Sequence, residues 1–496
     1  MKLYVAISQS APFVLEVPES ANIDQLHDLA STAYLELYEG NPYILHLNRA
    51  CRFQTKEVLL VYDKITLDPE SPIDISLQEQ LYIYEEPKPT PKSPILIPCP
   101  GMHLSKLVPK LTTLNRLILT MTLPDSDYLL DVFFHHFDMW TSSDVVIRKI
   151  LDRYDVHPPS SLTSASRKKW MLETRQPIQR CCAKAVYKLY NHRPEVFSSQ
   201  LKEEVTVWTN NMAKDGLGAA GVQISELLKK EIVKDETLPE GFENKLLLKS
   251  VDKGADFWSY DVIDLSRALT FVDLISYSKM KYHDFVGQKY AKKKHLVPAI
   301  VRAIHLFNQL SNFVSVSILK AKDNKVRRQL VIKAITLADR LHSDHSYNCM
   351  SAVAGGVSNA AVKRLKTVME GVPLNLKSRL QELNALMNPK GNYKLYRAEL
   401  REVPRNRLVV PWLGVFFRDL TFIEDGNAKV VDNLLNFYRA MLLHNTIQQC
   451  LYWQVAVQKV DFDSVDYSSL VQIEQHQQID EKLLFALSME VQPRKS

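Results

Sequence analysis

Few of the 496 residues are cysteine, and the six that are present do not form a recognisable set. Cys51, Cys99, Cys181, Cys182, Cys349 and Cys450 are scattered, with no CxxC pair and no His/Cys cluster at zinc-ligand spacing. This predicts a reduced, cytoplasmic protein without a structural metal. No run of about 18 apolar residues occurs, so no transmembrane helix is expected. The start MKLYVAIS has no signal-peptide pattern, and the final VQPRKS has no lipidation motif. His295, His305, His342 and His345 share no helical face with carboxylates. There is no Ser/His/Asp or Cys/His set, no paired acid–base carboxylates and no P-loop. Covalent catalysis, a metal centre and a cofactor are therefore not expected. A literal GxGxxG, GLGAAG at 216–221, follows the polar helix end VWTNNMAKD instead of a strand. A dinucleotide fingerprint needs strand, turn and helix in that order, so residues 214–244 read as a connection.

The hydrophobic fraction of 46% and the charged fraction of 24% are ordinary for globular proteins. The length suggests roughly two to four domains. Charge is unevenly placed. Residues 1–86 hold five Lys/Arg and fourteen Asp/Glu, a net −9; the chain total is +6, so the other 410 residues carry +15. A basic body suits an acidic partner surface, an anionic membrane face or the acidic segment of the same chain. Spread over a large surface, the same charge also serves solubility alone.

One stretch organises the rest: PWLGVFFRDLTFIEDGN at 411–427. On a helix, Leu413, Phe416, Phe417, Leu420 and Ile423 spread over one broad apolar face. Gly414, Arg418, Thr421 and Asp425 stack as a thin small-and-polar ridge. Pro411 suits a first turn and Gly426 a helix stop. Residues 428–458 read as one long helix, giving a helical hairpin joined by Asp-Gly-Asn. Such a hairpin could be buried in a helical domain or could present its ridge to a partner.

Upstream, residues 2–7, 13–17, 43–47, 58–62 and 80–84 read as strands and 22–38 as a helix. This β-β-α-β-β-β order over 1–86 resembles the ubiquitin-like β-grasp shared by Ras-association domains. The second strand, FVLEVPES, is acidic where a Ras-association domain is usually basic, which favours an interaction or masking role. Residues 87–102 form a Pro-rich linker with six prolines in 87–100. From 103 to 213 the pattern is helical, with helices expected near 107–118, 128–137, 143–154, 177–190 and 195–208 and a loop at 157–175. The run LTTLNRLILTMTLPDSDYLLDVFFHHFDMWTSSDVVIRKILDRY is similar to the N-terminal REM module of Ras-type guanine-nucleotide exchange factors.

Residues 245–490 carry three further stretches: YDVIDLSRALTFVDLISYSK at 260–279, SYNCMSAVAGGVSNAAVKRLK at 346–366 and GNYKLYRAEL at 391–400. In VAGGVSNAAV, small residues stand where two helices could approach closely. Together with 411–427, these stretches resemble the catalytic domain of Ras-family guanine-nucleotide exchange factors. The expected fold is mainly α: two all-helical domains, the second with a protruding helical hairpin, preceded by a small α+β module.

The resemblance implies a partner, a Ras-family small GTPase such as Ras or Rap holding GDP and Mg²⁺. It implies exchange without covalent chemistry: a hairpin is pushed between switch loop and phosphate site. In the family, an aliphatic residue and an acid one turn later carry this role; they correspond to Thr421, a departure, and Asp425. Trp412 corresponds to the aromatic that opens the hairpin. Arg267, Thr270, Asn348 and Tyr393 correspond to GTPase-anchoring positions, and Arg418 lies on the same ridge. No nucleic-acid partner is expected. A cytoplasmic protein recruited to a membrane-bound GTPase, with peripheral membrane contact, fits this reading. The alternative is a catalytically weak scaffold or adaptor of the same fold.

Overall fold

The computed structural model describes residues 110–124, 126–158, 163–230, 238–247 and 255–493. Before them it describes, as backbone, the strands β1 (Lys2–Val5), β2 (Phe13–Glu16), β3 (Tyr43–Arg52), β4 (Val58–Leu59), β5 (Ile73–Leu81), β6 (Leu96–Pro98) and β7 (Leu107–Pro109). The chain divides into two units. One comprises Met1–Lys234 and Asn427–His444, the other Asp235–Gly426 and Asn445–Ser496.

In the first unit β1 pairs antiparallel with β2, Lys2 opposite Glu16. The ten-residue β3 lies between β4 and β5, running antiparallel to both. All five expected strands overlap observed ones, the last by two residues. The strand expected at 80–84 instead runs from Ile73 to Leu81, and the helix expected at 22–38 lies outside the described residues. The apolar stretch at 107–118 is not one helix. It supplies β7, then β8 (Leu111–Thr112), and only then α1 (Leu114–Met121). Thr113 caps that helix by accepting from Arg116 N at 3.2 Å. The bundle continues with α2 (Asp127–His136), α3 (Ser143–Tyr154), α4 (Gln176–His192) and α5 (Ser199–Asn211).

Two expectations fail here. The loop expected at 157–175 contains the helix Ser164–Trp170, extended by a wider turn over Met171–Arg175. The connection expected at 214–244 contains α6 (Gly218–Lys229), which buries Ile224, Leu227 and Leu228 in the same core. GLGAAG is thus a helix break and restart. Gly216 takes the left-handed conformation at φ +76, and Gly221 lies where a Cβ would meet the Thr209 carbonyl oxygen at 2.5 Å.

Residues 428–436 are not helical either. They form β9 (Val430–Val431) and β10 (Leu434–Asn436), with β10 between β8 and β9. Asp432 and Asn433 both have positive φ, 49° and 62°, as a two-residue turn between twisted strands requires. The helix Phe437–Cys450 follows. Phe437, Ala440 and Met441 join the bundle core beside Phe133, Phe134 and Phe137. Trp140 lies between Phe133 and Phe437, with ring centres 6.4 and 6.3 Å away. Its indole donates to Lys429 O at 2.8 Å.

The second unit is a helical domain. Its central elements are α7 (Val262–Ser278), α8 (Pro298–Lys320), α9 (Asn324–Ser343) and α10 (Tyr347–Ser358), followed by α11 (Lys394–Glu402) and α12 (Leu413–Gly426). Arg302, wholly buried, donates to Lys245 O and Leu246 O and lies 4.5 Å from the Phe242 ring centre. This fixes the segment leading into the domain. The small-residue stretch in α10 does meet another helix closely. A Cβ on Gly356 would stand 2.6 Å from Ser311 O and 2.8 Å from Val314 Cβ, whereas one on Gly355 would meet only Ser311 Oγ at 3.7 Å.

The two adjacent glycines should therefore respond oppositely. Gly356→Ala is expected to destabilise the fold by about 1–3 kcal/mol through overpacking. Gly355→Ala should be neutral or stabilising by up to about 1 kcal/mol, because alanine is the better helix former. Denaturant unfolding of both variants checks this; equal effects would contradict it.

Candidate functional site

The helix α12 is held by its apolar face. Leu413, Val415, Phe416 and Leu420 are buried, while Phe422 is 60% exposed. The ridge residues Arg418 and Thr421 are half-buried, and Asp425 is exposed in the last turn. No basic residue shares that turn, so Asp425 opposes the helix dipole.

Two supports hold the helix. The first comes from the turn before α11. Gly391, Asn392 and Tyr393 take positive φ in succession, 69°, 56° and 57°, an uncommon conformation for an aromatic residue. It places the Tyr393 ring against Trp412, 5.4 Å between centres and nearly perpendicular. The Arg418 guanidinium lies over Tyr393 at 5.4 Å and over Phe422 at 5.2 Å. Tyr396 accepts from Trp412 N at 2.8 Å. Arg397 Nη2 bridges both oxygens of Asp419 at 2.8 and 2.6 Å and its Nε donates to Asn392 O, so one guanidinium ties the strained turn to α12. Gly414 leaves room for the indole: a Cβ there would meet the Trp412 ring at 2.9 Å.

The second support is an elbow at 286–290, between two short helical turns. Gly287 and Gln288 both adopt left-handed backbone, φ 74° and 52°. Gly287 N donates to Glu424 Oε1 at 2.9 Å, and Gln288 Nε2 to Asp425 Oδ1 at 3.1 Å. The Tyr290 ring stacks on Phe417 at 4.3 Å. Its hydroxyl lies 3.1 Å from Phe417 O and 3.1 Å from Thr421 Oγ1, within donating distance of either.

A further group lies on α7 and α10. Arg267 is exposed, its guanidinium 5.7 Å from the Phe271 ring centre, and Phe271 meets Phe462 edge-on. Thr270 is buried, and its hydroxyl has no hydrogen-bond partner among the described residues. Asn348 is also buried and donates to both oxygens of Asp273 at 3.3 and 3.1 Å. Cys349 Sγ donates to the same carboxylate. Among the described residues no group of three His, Cys, Asp or Glu side chains could hold a metal ion, and no helix is long and apolar enough to cross a membrane.

The structure thus gathers Trp412, Tyr393 and Arg418 into one aromatic–cation stack and puts Thr421 and Asp425 on the elbow. Arg267 stands apart from both, and Thr270 and Asn348 point inward.

Comparison with known proteins agrees with this architecture. The RasGEF domain model matches residues 264–441, and the RasGEF N-terminal motif matches residues 101–207. Together they cover more than half of the chain. The chain belongs to the RasGEF family. It is 26% identical over 403 residues to Ras guanine nucleotide exchange factor J of Dictyostelium discoideum, covering 78% of this chain and 48% of that protein. It is 27% identical over 272 residues to Ras-specific guanine nucleotide-releasing factor 1 of Mus musculus, covering 53% and 21%. With Ras guanine nucleotide exchange factor K of Dictyostelium discoideum it shares 30% over 246 residues, 48% and 15% of the two chains. The RasGEF chain therefore spans about half or less of the length of these relatives.

Sequence reasoning missed Tyr290, Gln288, Phe422 and Asp273. The first two lie over 120 residues from their partners in α12, in a stretch without periodicity. Phe422 stands four residues after Arg418, a spacing that pairs side chains on a helix and was available. Asp273 was hidden because a lone carboxylate on an apolar helix carries no signal of its partner.

Burial pushes the Asp273 carboxyl up to about 7, with hydrogen bonds from Asn348 and Cys349 opposing the shift. Between about pH 4 and pH 7 the unfolded chain then binds fewer protons than the folded one. The contribution of Asp273 to stability is complete below that window and is lost as pH rises through it. The melting temperature of the RasGEF chain should fall relative to that of Asp273→Asn between pH 5 and 7.5. Parallel profiles would contradict this.

Proposed function

We propose that this chain is a guanine-nucleotide exchange factor for a Ras-family small GTPase. The observation that carries the reading is α12 itself: a helix braced on two sides whose last turn presents an acid to solvent. Family membership and the names of its relatives support the same reading.

Exchange is a binding problem. A factor that binds the nucleotide-free GTPase more tightly than the loaded form must, by linkage, weaken nucleotide binding by the same factor. The factor does not choose between GDP and GTP; the cellular excess of GTP sets the direction. A flexible probe would lose binding free energy to ordering. The Tyr393 turn and the elbow order α12 beforehand. Asp425 is suited to compete with phosphate for the cationic and amide donors of a phosphate site. Trp412, Tyr393 and Arg418 form a firm base toward the start of the same helix, and Arg267 offers a further exposed charge on α7. Buried as they are, Thr270 and Asn348 fit this reading as supports of α7 and α10.

Release of a fluorescent GDP analogue from a panel of Ras-family GTPases tests the proposal. Asp425→Ala removes a charged hydrogen-bonding group, worth about 1.5–3 kcal/mol, so acceleration should drop roughly 10- to 100-fold. Trp412→Ala removes the platform for Tyr393 and should lower the rate about tenfold on the same scale. Circular dichroism should show both variants folded. Wild-type rates in both would remove α12 from the mechanism.

A further inference from the structure

Threonine at 421 puts an oxygen on the edge of α12, beside the acid that would approach the partner's phosphate and magnesium site. Mg²⁺ is a hard cation that seeks oxygen ligands and holds its waters tightly. A free hydroxyl here could accept from or donate to metal-bound water, whereas a methyl could not. The structure shows where the hydroxyl is directed. Thr421 Oγ1 donates to Phe417 O, one turn back, at 2.8 Å. The hydroxyl of Tyr290 lies 3.1 Å from both atoms and closes a triangle of three oxygens; with Thr421 donating to Phe417 O, the single Tyr290 hydrogen can go to Thr421 Oγ1 or be shared with Phe417 O. Tyr290 is buried and stacked on Phe417, so this phenol has little freedom to swing away.

We propose that Tyr290 is a positioning residue for exchange: by holding the Thr421 hydroxyl against the backbone of α12, it leaves the γ-methyl as the uncommitted part of that side chain. Threonine then acts at the metal-facing edge as an aliphatic residue would. The inference rests on the exchange reading above. The observation behind it is a contact spanning 131 residues of chain.

The same elbow also orients the acid. Gln288 is 6% exposed and sits in left-handed backbone, at a cost of about 1–2 kcal/mol for a non-glycine residue. Its amide takes Asp425 Oδ1. Oδ2 accepts no hydrogen bond among the described residues. The carboxylate is thereby oriented while one oxygen stays open. Gly287 supplies the preceding left-handed residue and a third tie, to Glu424. One elbow therefore sets the hydroxyl and the carboxylate of the edge together.

The test is a cycle between positions 290 and 421 in the full chain, read by GDP-analogue release at several Mg²⁺ concentrations. Tyr290→Phe keeps the ring stack and removes one hydroxyl. It should lower acceleration about fivefold, the equivalent of one hydrogen bond, and steepen inhibition by Mg²⁺. Measured in a Thr421→Val background, the same Tyr290→Phe change should cost less than about twofold, because valine has no hydroxyl to hold. Thr421→Ser keeps the hydroxyl, loses the methyl and should lower the rate. An equal cost of Tyr290→Phe in both backgrounds, or a Thr421→Ser protein with unaltered rate and Mg²⁺ response, would overturn the proposal. A parallel cycle on melting temperature needs no GTPase. Tyr290→Phe should lower it more with Thr421 than with Val at 421, and additive shifts would overturn the ring. If the wild-type chain accelerates release from no GTPase, the exchange reading fails while the melting cycle still decides the contact.

Discussion

Burial of one face of α12 is the constraint from which the site follows. Leu413, Val415, Phe416 and Leu420 are out of water, and burying such side chains is worth about 1.5–3 kcal/mol each as an upper range. That anchorage lets the remaining residues violate ordinary rules. Asp425 sits against the helix dipole, Phe422 stands in solvent, and Gln288 and Tyr393 occupy left-handed backbone. Local conflicts of this kind persist where the surroundings over-determine them, and they tend to collect at functional sites. Here they collect around a single helix.

The residues after Gly426 obey a different anchorage. Asn436 donates to Ala428 O at 2.9 Å, and Arg439 donates to Asn427 O. Trp140 closes on Lys429, and Phe437 fills the bundle core. The boundary between the two units runs between Gly426 and Asn427. Within the first unit, residues 427–437 are thus held by side-chain donors to three main-chain carbonyls and by one aromatic stack. The core of the first unit thus includes Phe437, Ala440 and Met441 from the segment after Asn427.

Much of this was legible in the residues, and the failures have identifiable causes. Periodicity located α3 closely, and the apolar face of 411–427 was read with Leu413, Phe416 and Leu420 correctly buried. The stretch VVDNLLN misled, since its apolar residues fit helical spacing as well as strand pairing. The decisive feature was Asp-Asn at the turn, residues that tolerate positive φ. Polar Ser164–Trp170 and glycine-bearing Gly218–Lys229 gave weak helix signals and were read as loops. The elbow was not legible at all. No spacing rule connects Gln288 to Asp425 or Tyr290 to Thr421, so only tertiary structure reveals that the threonine hydroxyl is already committed. The threonine that looked like a departure from the family pattern becomes, with its tyrosine, a way of meeting it.

As an exchange factor, this chain would favour a GTPase without nucleotide over one that holds it. The most direct measurement is the affinity of the full chain for one responsive Ras-family GTPase in its nucleotide-free and GDP–Mg²⁺ forms. Tight binding to the empty form is expected, with the complex dissociating as GDP or GTP is added. Equal affinity for the two forms would contradict it and would favour a scaffold that binds without exchange.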